Sequence, residues 1–166
     1  MTTKNTELLF EAARDGNTED IQRLIPISDP KNNDSMALQV AASYGHTECV
    51  KLLIPVSDPK ANNSAALGWA AEYGSTEALK ILIPVSDPKA NDSVALRKAV
   101  QNGHPDCVDA LYGVSDVHAA LKHLQHNNMD DYAAWRHFEQ RVESERQHSV
   151  LSKEVGEGAP IRKSKM

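Results

Sequence analysis

Apolar and polar positions alternate in a fixed rhythm over the first two-thirds of the chain. The stretch from 62 to 90, NNSAALGWAAEYGSTEALKILIPVSDPKA, carries one full cycle. Ala66, Leu67, Ala70 and Ala71 fall at i, i+1, i+4 and i+5, one apolar stripe of a helix. Ser64 stands ahead of that stripe as an N-cap candidate, with a hydroxyl able to accept from an orphan backbone N–H. Gly74 follows the last periodic residue, where a left-handed C′ position ends a helix without a Cβ clash. Thr76 and Glu77 open a second helix, the acidic residue lying at its positive end. Its stripe is Ala78, Leu79, Leu82 and Ile83, and Pro84 removes a donor and stops it. SDPK then predicts a turn in which the Asp87 side chain bonds the local backbone and Pro88 fixes φ.

This cycle is written four times. Gly16, Gly45, Gly74 and Gly103 are spaced 29 residues apart, as are Leu9, Leu38, Leu67 and Leu96. Leu24, Leu53, Leu82 and Leu111 keep the same step, and so do Asp29, Asp58, Asp87 and Asp116. LIPVSDPK occurs at Leu53–Lys60 and Leu82–Lys89, with LIPISDPK at Leu24–Lys31. Each copy reads as a helix, a turn, a second helix and a connector. One such pair cannot bury its own apolar face, whereas stacked neighbours can, so equal copies predict a solenoid with an equal step between units. The expected fold is all-α, with units at about 1–28, 29–57, 58–86 and 87–115.

ALQVAASYGHTECVKLLI at Ala37–Ile54, a similarly good match at Ala66–Ile83, a weaker one at Ala95–Tyr112, and LLFEAARDGNTEDIQRLI at Leu8–Ile25 resemble ankyrin repeats. The resemblance covers about residues 5 to 115. The usual repeat runs to about 33 residues, so these copies are shorter by about four. The deficit falls after the second helix, where the family forms a projecting β-hairpin finger, and SDPK turns are expected in its place. MALQ, AALG and VALR stand where the family has Thr-Pro-Leu-His. The resemblance implies that His46 and His104, in the Gly-His position, tighten the turn between helices. It also implies a concave groove that grips another protein.

The ends of the array break the pattern as capping units do. The first copy has Glu11 where later ones have Val40 and Trp69, and it is rich in charge. After Asp116 the period fails, but Val117, Ala120, Leu121 and Leu124 keep helical spacing. Asn127-Asn128 marks a turn before a last helix with Tyr132, Trp135, Phe138 and Val142 along one side. Residues 116–152 are expected to cap the stack, and 153–166, rich in Gly and charge, to form a flexible tail. The cap helices are alternatively a docking face for a partner or a second copy.

Composition narrows the functional classes. A net charge of -5 argues against general affinity for nucleic acid or anionic membrane. The opening MTTKNTELLF has no apolar signal core, and two distant cysteines do not make a secreted disulfide scaffold. A cytoplasmic location is expected. Cys49 and Cys107 share one repeat position and are expected to be small, half-buried packing residues. His118, His123 and His126 lie close together, but no cysteine or further carboxylate completes a zinc set, and they are read as solvated or capping. No glycine-rich phosphate loop and no Gly-x-Ser-x-Gly is present, so neither catalytic residue, metal nor cofactor is expected.

Where the copies differ, individuality resides. Just before the repeat glycine stand Arg14-Asp15, Ser43-Tyr44, Glu72-Tyr73 and Gln101-Asn102. The resemblance places these positions on the groove. Tyr44 and Tyr73, one repeat apart, are expected to be exposed neighbours, and aromatic residues are favoured as interface anchors. Trp69 is either a further anchor or packed between repeats. Ser43, Glu72, Arg97, Gln101 and Asn102 are expected along the rim, where an ordinary solvated face is the alternative reading. The expected function is a protein–protein interaction module that sequesters or inhibits its partner, as an adaptor, inhibitor or immunity-type protein. Short variants of this kind resemble those of bacterial or phage proteins. The alternative is a scaffolding protein that self-assembles through its aromatic C-terminal helix.

Overall fold

The computed structural model describes residues 3–127 and, beyond them, 135, 136, 139, 140, 144 and 147. Its helices are α1 (Thr3–Asp15), α2 (Thr18–Leu24), α3 (Asn32–Ser43), α4 (Thr47–Leu53), α5 (Ala61–Glu72), α6 (Thr76–Leu82), α7 (Ala90–Gln101), α8 (Pro105–Tyr112) and α9 (Val117–Asn127). No strand occurs among the described residues, and short turns replace the hairpin fingers. Two layers form. α1, α3, α5, α7 and α9 pack in succession, while α2, α4, α6 and α8 make a second row behind them.

The apolar stripes read from the sequence form one continuous core. Leu9, Leu38, Leu67 and Leu96 lie within it, with Leu24, Leu53, Leu82 and Leu111 behind them. Buried alanines, including Ala41, Ala42, Ala70 and Ala71, let successive helices approach closely. The repeat glycines are all left-handed, with φ between 70° and 73°. The proline of each connector does more than stop a helix. Pro26, Pro55 and Pro84 each lie in a 3₁₀ turn, at Ile25–Ile27, Ile54–Val56 and Ile83–Val85, that continues directly from the α-helix.

The serine expected to cap its own helix has another task. Asn62, Asn63 and Ser64 all adopt left-handed angles, and the same holds for Asn33–Ser35 and Asn91–Ser93, with φ between 48° and 62°. Asn and Asp pay least for this conformation among residues with a Cβ. The one-turn reversal swings the serine out of its own helix and towards the next connector. Ser64 Oγ accepts from the Asp87 amide at 2.8 Å, Ser35 Oγ from Asp58 at 2.8 Å and Ser93 Oγ from Asp116 at 2.7 Å. Ser57, Ser86 and Ser115 donate back to the carbonyls of Pro30, Pro59 and Pro88 at 3.3–3.4 Å. Asp29, Asp58 and Asp87 close the local turn as expected, accepting from the amide two residues on. The connectors are alike because each is bonded to the one before it.

Ser64→Ala is therefore expected to cost about 1 kcal/mol, the usual net contribution of one hydrogen bond. A urea titration followed by circular dichroism measures this. A cost below a few tenths of a kcal/mol would remove the inter-connector bond from the stability argument.

The repeat ends where the left-handed turn is lost. Asp116 Oδ1 accepts from Ala119 N at 3.0 Å and starts α9 directly at Val117. Ala120 and Leu124 are buried against the stack, and Trp135 is fully buried with its ring on Tyr112, 6.0 Å between centroids. Tyr132, Phe138 and Val142 of the expected last helix, and the tail 153–166, lie outside the described residues.

Candidate protein-binding face

The ends of the first-layer helices carry side chains that the core does not need. Tyr44 is 62% exposed and Tyr73 60%, and Trp69 retains 36%. The two tyrosines are not stacked on one another. The Tyr44 ring lies parallel to His46 at 6.0 Å, and Tyr73 lies on Trp69 at 5.9 Å. Lys98 Nζ sits 4.5 Å from the centre of the Trp69 ring, a cation–π contact between adjacent repeats. Glu72 and Lys98 form an ion pair that holds the lysine there. Trp69 thus combines both sequence readings: it is partly exposed and it touches the next repeat.

The rim set divides. Gln101 and Asn102 are exposed, Asn102 donating to the Lys98 carbonyl at 2.9 Å, while Ser43 and Glu72 are half-buried. Arg97 does not lie on a rim. It is buried, 8% exposed, and its Nη2 donates to the Asn91 carbonyl at 3.0 Å, folding back over the left-handed turn. Its Nε has no partner, and burial pulls the guanidinium below its ordinary pKa. Gln39, at the same phase two repeats earlier, makes a similar return to its own left-handed turn, donating to Asp34 O at 2.7 Å. Sequence reasoning noted Gln39, Val40 and Lys98 as differing positions of the same helices without choosing them as site residues, and passed over Met36. For Lys98 the signal was present, because it lies 29 positions after Trp69 and stacking brings equal phases together.

The histidines also reach across repeats rather than tightening their own turns. His46 Nε2 donates to the Arg14 carbonyl and His104 Nε2 to that of Glu72, both at 2.9 Å. A carbonyl only accepts, so both rings carry their proton on Nε2. Ser75 replaces histidine in the third copy and donates to Ser43 O at 3.0 Å. Asn17, at this position in the first copy, caps its own helix by accepting from Asp20 N at 3.0 Å. These bonds tie down the backbone directly beneath Arg14, Ser43 and Glu72, and so fix the candidate face from below.

Nothing reactive stands out elsewhere among the described residues. Cys49 and Cys107 are fully buried rather than half-buried, and burial pushes both thiols above their ordinary pKa, away from the nucleophilic form. Among the described residues no group of three or more His, Cys, Asp or Glu is arranged to hold a metal ion. No described helix is long and apolar enough to cross a membrane.

A family model described as ankyrin repeats, in three copies, matches residues 9–92 and 55–122. No curated protein matches the chain. The matched residues, the stacked helix pairs and the left-handed glycine between the two helices of each pair agree with one another: the chain belongs to the ankyrin repeat family.

Proposed function

We propose that this chain captures a partner protein on the exposed ends of its first-layer helices, and that by occupying the partner it sequesters or inhibits it. Ankyrin repeats are generally protein–protein interaction modules. The observation that carries the reading is the group Tyr44, Trp69 and Tyr73, large rings left accessible where Trp135 is fully buried. Ser43 and Glu72 flank the rings, with Gln101 and Asn102 beyond them. A stack bonded from repeat to repeat loses little conformational entropy on binding, so its contacts convert efficiently into affinity. Residues 1–115 would supply the face, residues 116–152 would close the end of the stack, and the protein would act in the cytoplasm.

Tyr44→Ala combined with Tyr73→Ala is expected to leave the far-ultraviolet circular dichroism intact. Partner capture from a native host extract, read by quantitative mass spectrometry, is expected to fall about tenfold, as for loss of an interface anchor of more than 1 kcal/mol. Unchanged recovery of the same partner by the double variant would remove these residues from the interface.

A further inference from the structure

A slot of about 160 Å³ opens between α3 and α5, walled by Met36, Gln39, Val40, Ser43, Trp69 and Tyr73. No charged side chain lines it. Of its polar groups, Gln39 Nε2 is engaged with Asp34 O at 2.7 Å and Ser43 Oγ with Val40 O at 2.9 Å. Glu72 and Lys98, beside Trp69, are paired with each other. A charged group entering the slot would lose water and gain no counter-ion, which is heavily unfavourable. The size suits a single side chain, since apolar cavities of about 150 Å³ admit a benzene-sized group. The aromatic wall is set in advance, because Trp69 is held by Tyr73 and by a lysine that is itself paired.

Met36 has a second role. It also lines the larger cavity of about 510 Å³ between α1 and α3. There Glu7, Glu11 and Asp29 face one guanidinium, Arg14, which is bonded to Asp15 at 2.8 Å. Among the residues lining that cavity carboxylates outnumber cations three to one.

We propose that the face recognises a basic segment of its partner, which places one uncharged aliphatic side chain of leucine or methionine size in the slot. A lysine or arginine next to it meets the carboxylates Glu7, Glu11 and Asp29. The proposal rests on the binding-face reading above and names the chemistry that face selects.

The test is selection of a random heptapeptide library displayed on phage against the full chain, followed by affinity measurement on synthetic copies of the enriched peptides. Enrichment of an aliphatic residue beside Lys or Arg is expected. Val40→Trp, which fills the slot, is expected to weaken these peptides at least tenfold. Glu7→Gln with Glu11→Gln is expected to weaken them about threefold and flatten their salt dependence. Ser43→Leu fills the slot from its other wall and serves if Val40→Trp does not fold. No enrichment, acidic or purely polar consensus peptides, or equal affinity in both slot-filling variants would overturn the proposal. Peptides weakened by Tyr44→Ala with Tyr73→Ala but indifferent to slot filling would overturn it while leaving the binding face standing. Peptides indifferent to all these changes would overturn both.

Discussion

Gly74→Ala is expected to destabilise the chain by about 3 kcal/mol, roughly 1–2 for a side chain at positive φ and roughly 1 for the hydrogen bond it displaces. Gly74 has φ +70°, and a Cβ there would lie 2.6 Å from His104 Nδ1, too close to be accommodated without moving the ring. That ring holds the Glu72 carbonyl, so relieving the clash breaks the bridge between repeats. The four repeat glycines form an internal control. Gly16 meets His46 at 2.7 Å and is expected to behave like Gly74. Gly45 meets only Ser75 Oγ, at 3.1 Å, and is expected to cost less. Gly103 has the same left-handed angle with nothing described within 4 Å, and its alanine variant is expected to lose only the conformational part, about 1–2 kcal/mol. Urea unfolding of the four single variants gives the order directly. His104→Ser, which copies the serine of the third repeat, is expected to recover part of the loss in the Gly74→Ala background. Equal costs at Gly74 and Gly103 would show that the histidine bridge contributes nothing.

The same comparison shows what a single sequence can and cannot reveal. The glycines, the leucines and the Asp-Pro turns were legible because each acts within its own helix pair, where spacing fixes the geometry. The left-handed turn at Asn62–Ser64 was not. A serine before an apolar stripe has the same local signature whether it caps that helix or reaches the amide of Asp87, 23 residues ahead. The histidines misled for a related reason, because their acceptors lie 32 residues back in the preceding unit. On the candidate face, the tyrosines were legible as surplus to the core. Arg97 was not: a charged residue at a variable position reads as exposed, and only the carbonyls of the left-handed turn explain its return inward. Gln39, of the same phase, was the available hint. Stacking is the property that a one-repeat reading omits, and the corrections at the serines, the histidines and Arg97 each involve either a bond between repeats or the turn that makes such a bond feasible.

Leu67→Ala is expected to cost about 3–4 kcal/mol, within the range for removing a fully buried leucine from a core that cannot collapse around the space. Leu67 has no exposed surface and lies on α5, which packs against α3 on one side and α7 on the other. In a linear array, stability is close to a sum over units and the interfaces between neighbours. A hole at this position therefore weakens two interfaces at once. Leu9 occupies the same phase on α1, which has only α3 as a first-layer neighbour, and Leu9→Ala is expected to cost about 2 kcal/mol by the same rule. The two variants should also differ in how they unfold. Weakening the middle decouples the ends, so the urea transition of Leu67→Ala is expected to broaden, with a lower apparent m-value. Loss at Leu9 frays one end and leaves the main transition sharp. Equal costs and equally sharp transitions for the two variants would mean that the chain does not behave as a stack of neighbour-coupled units.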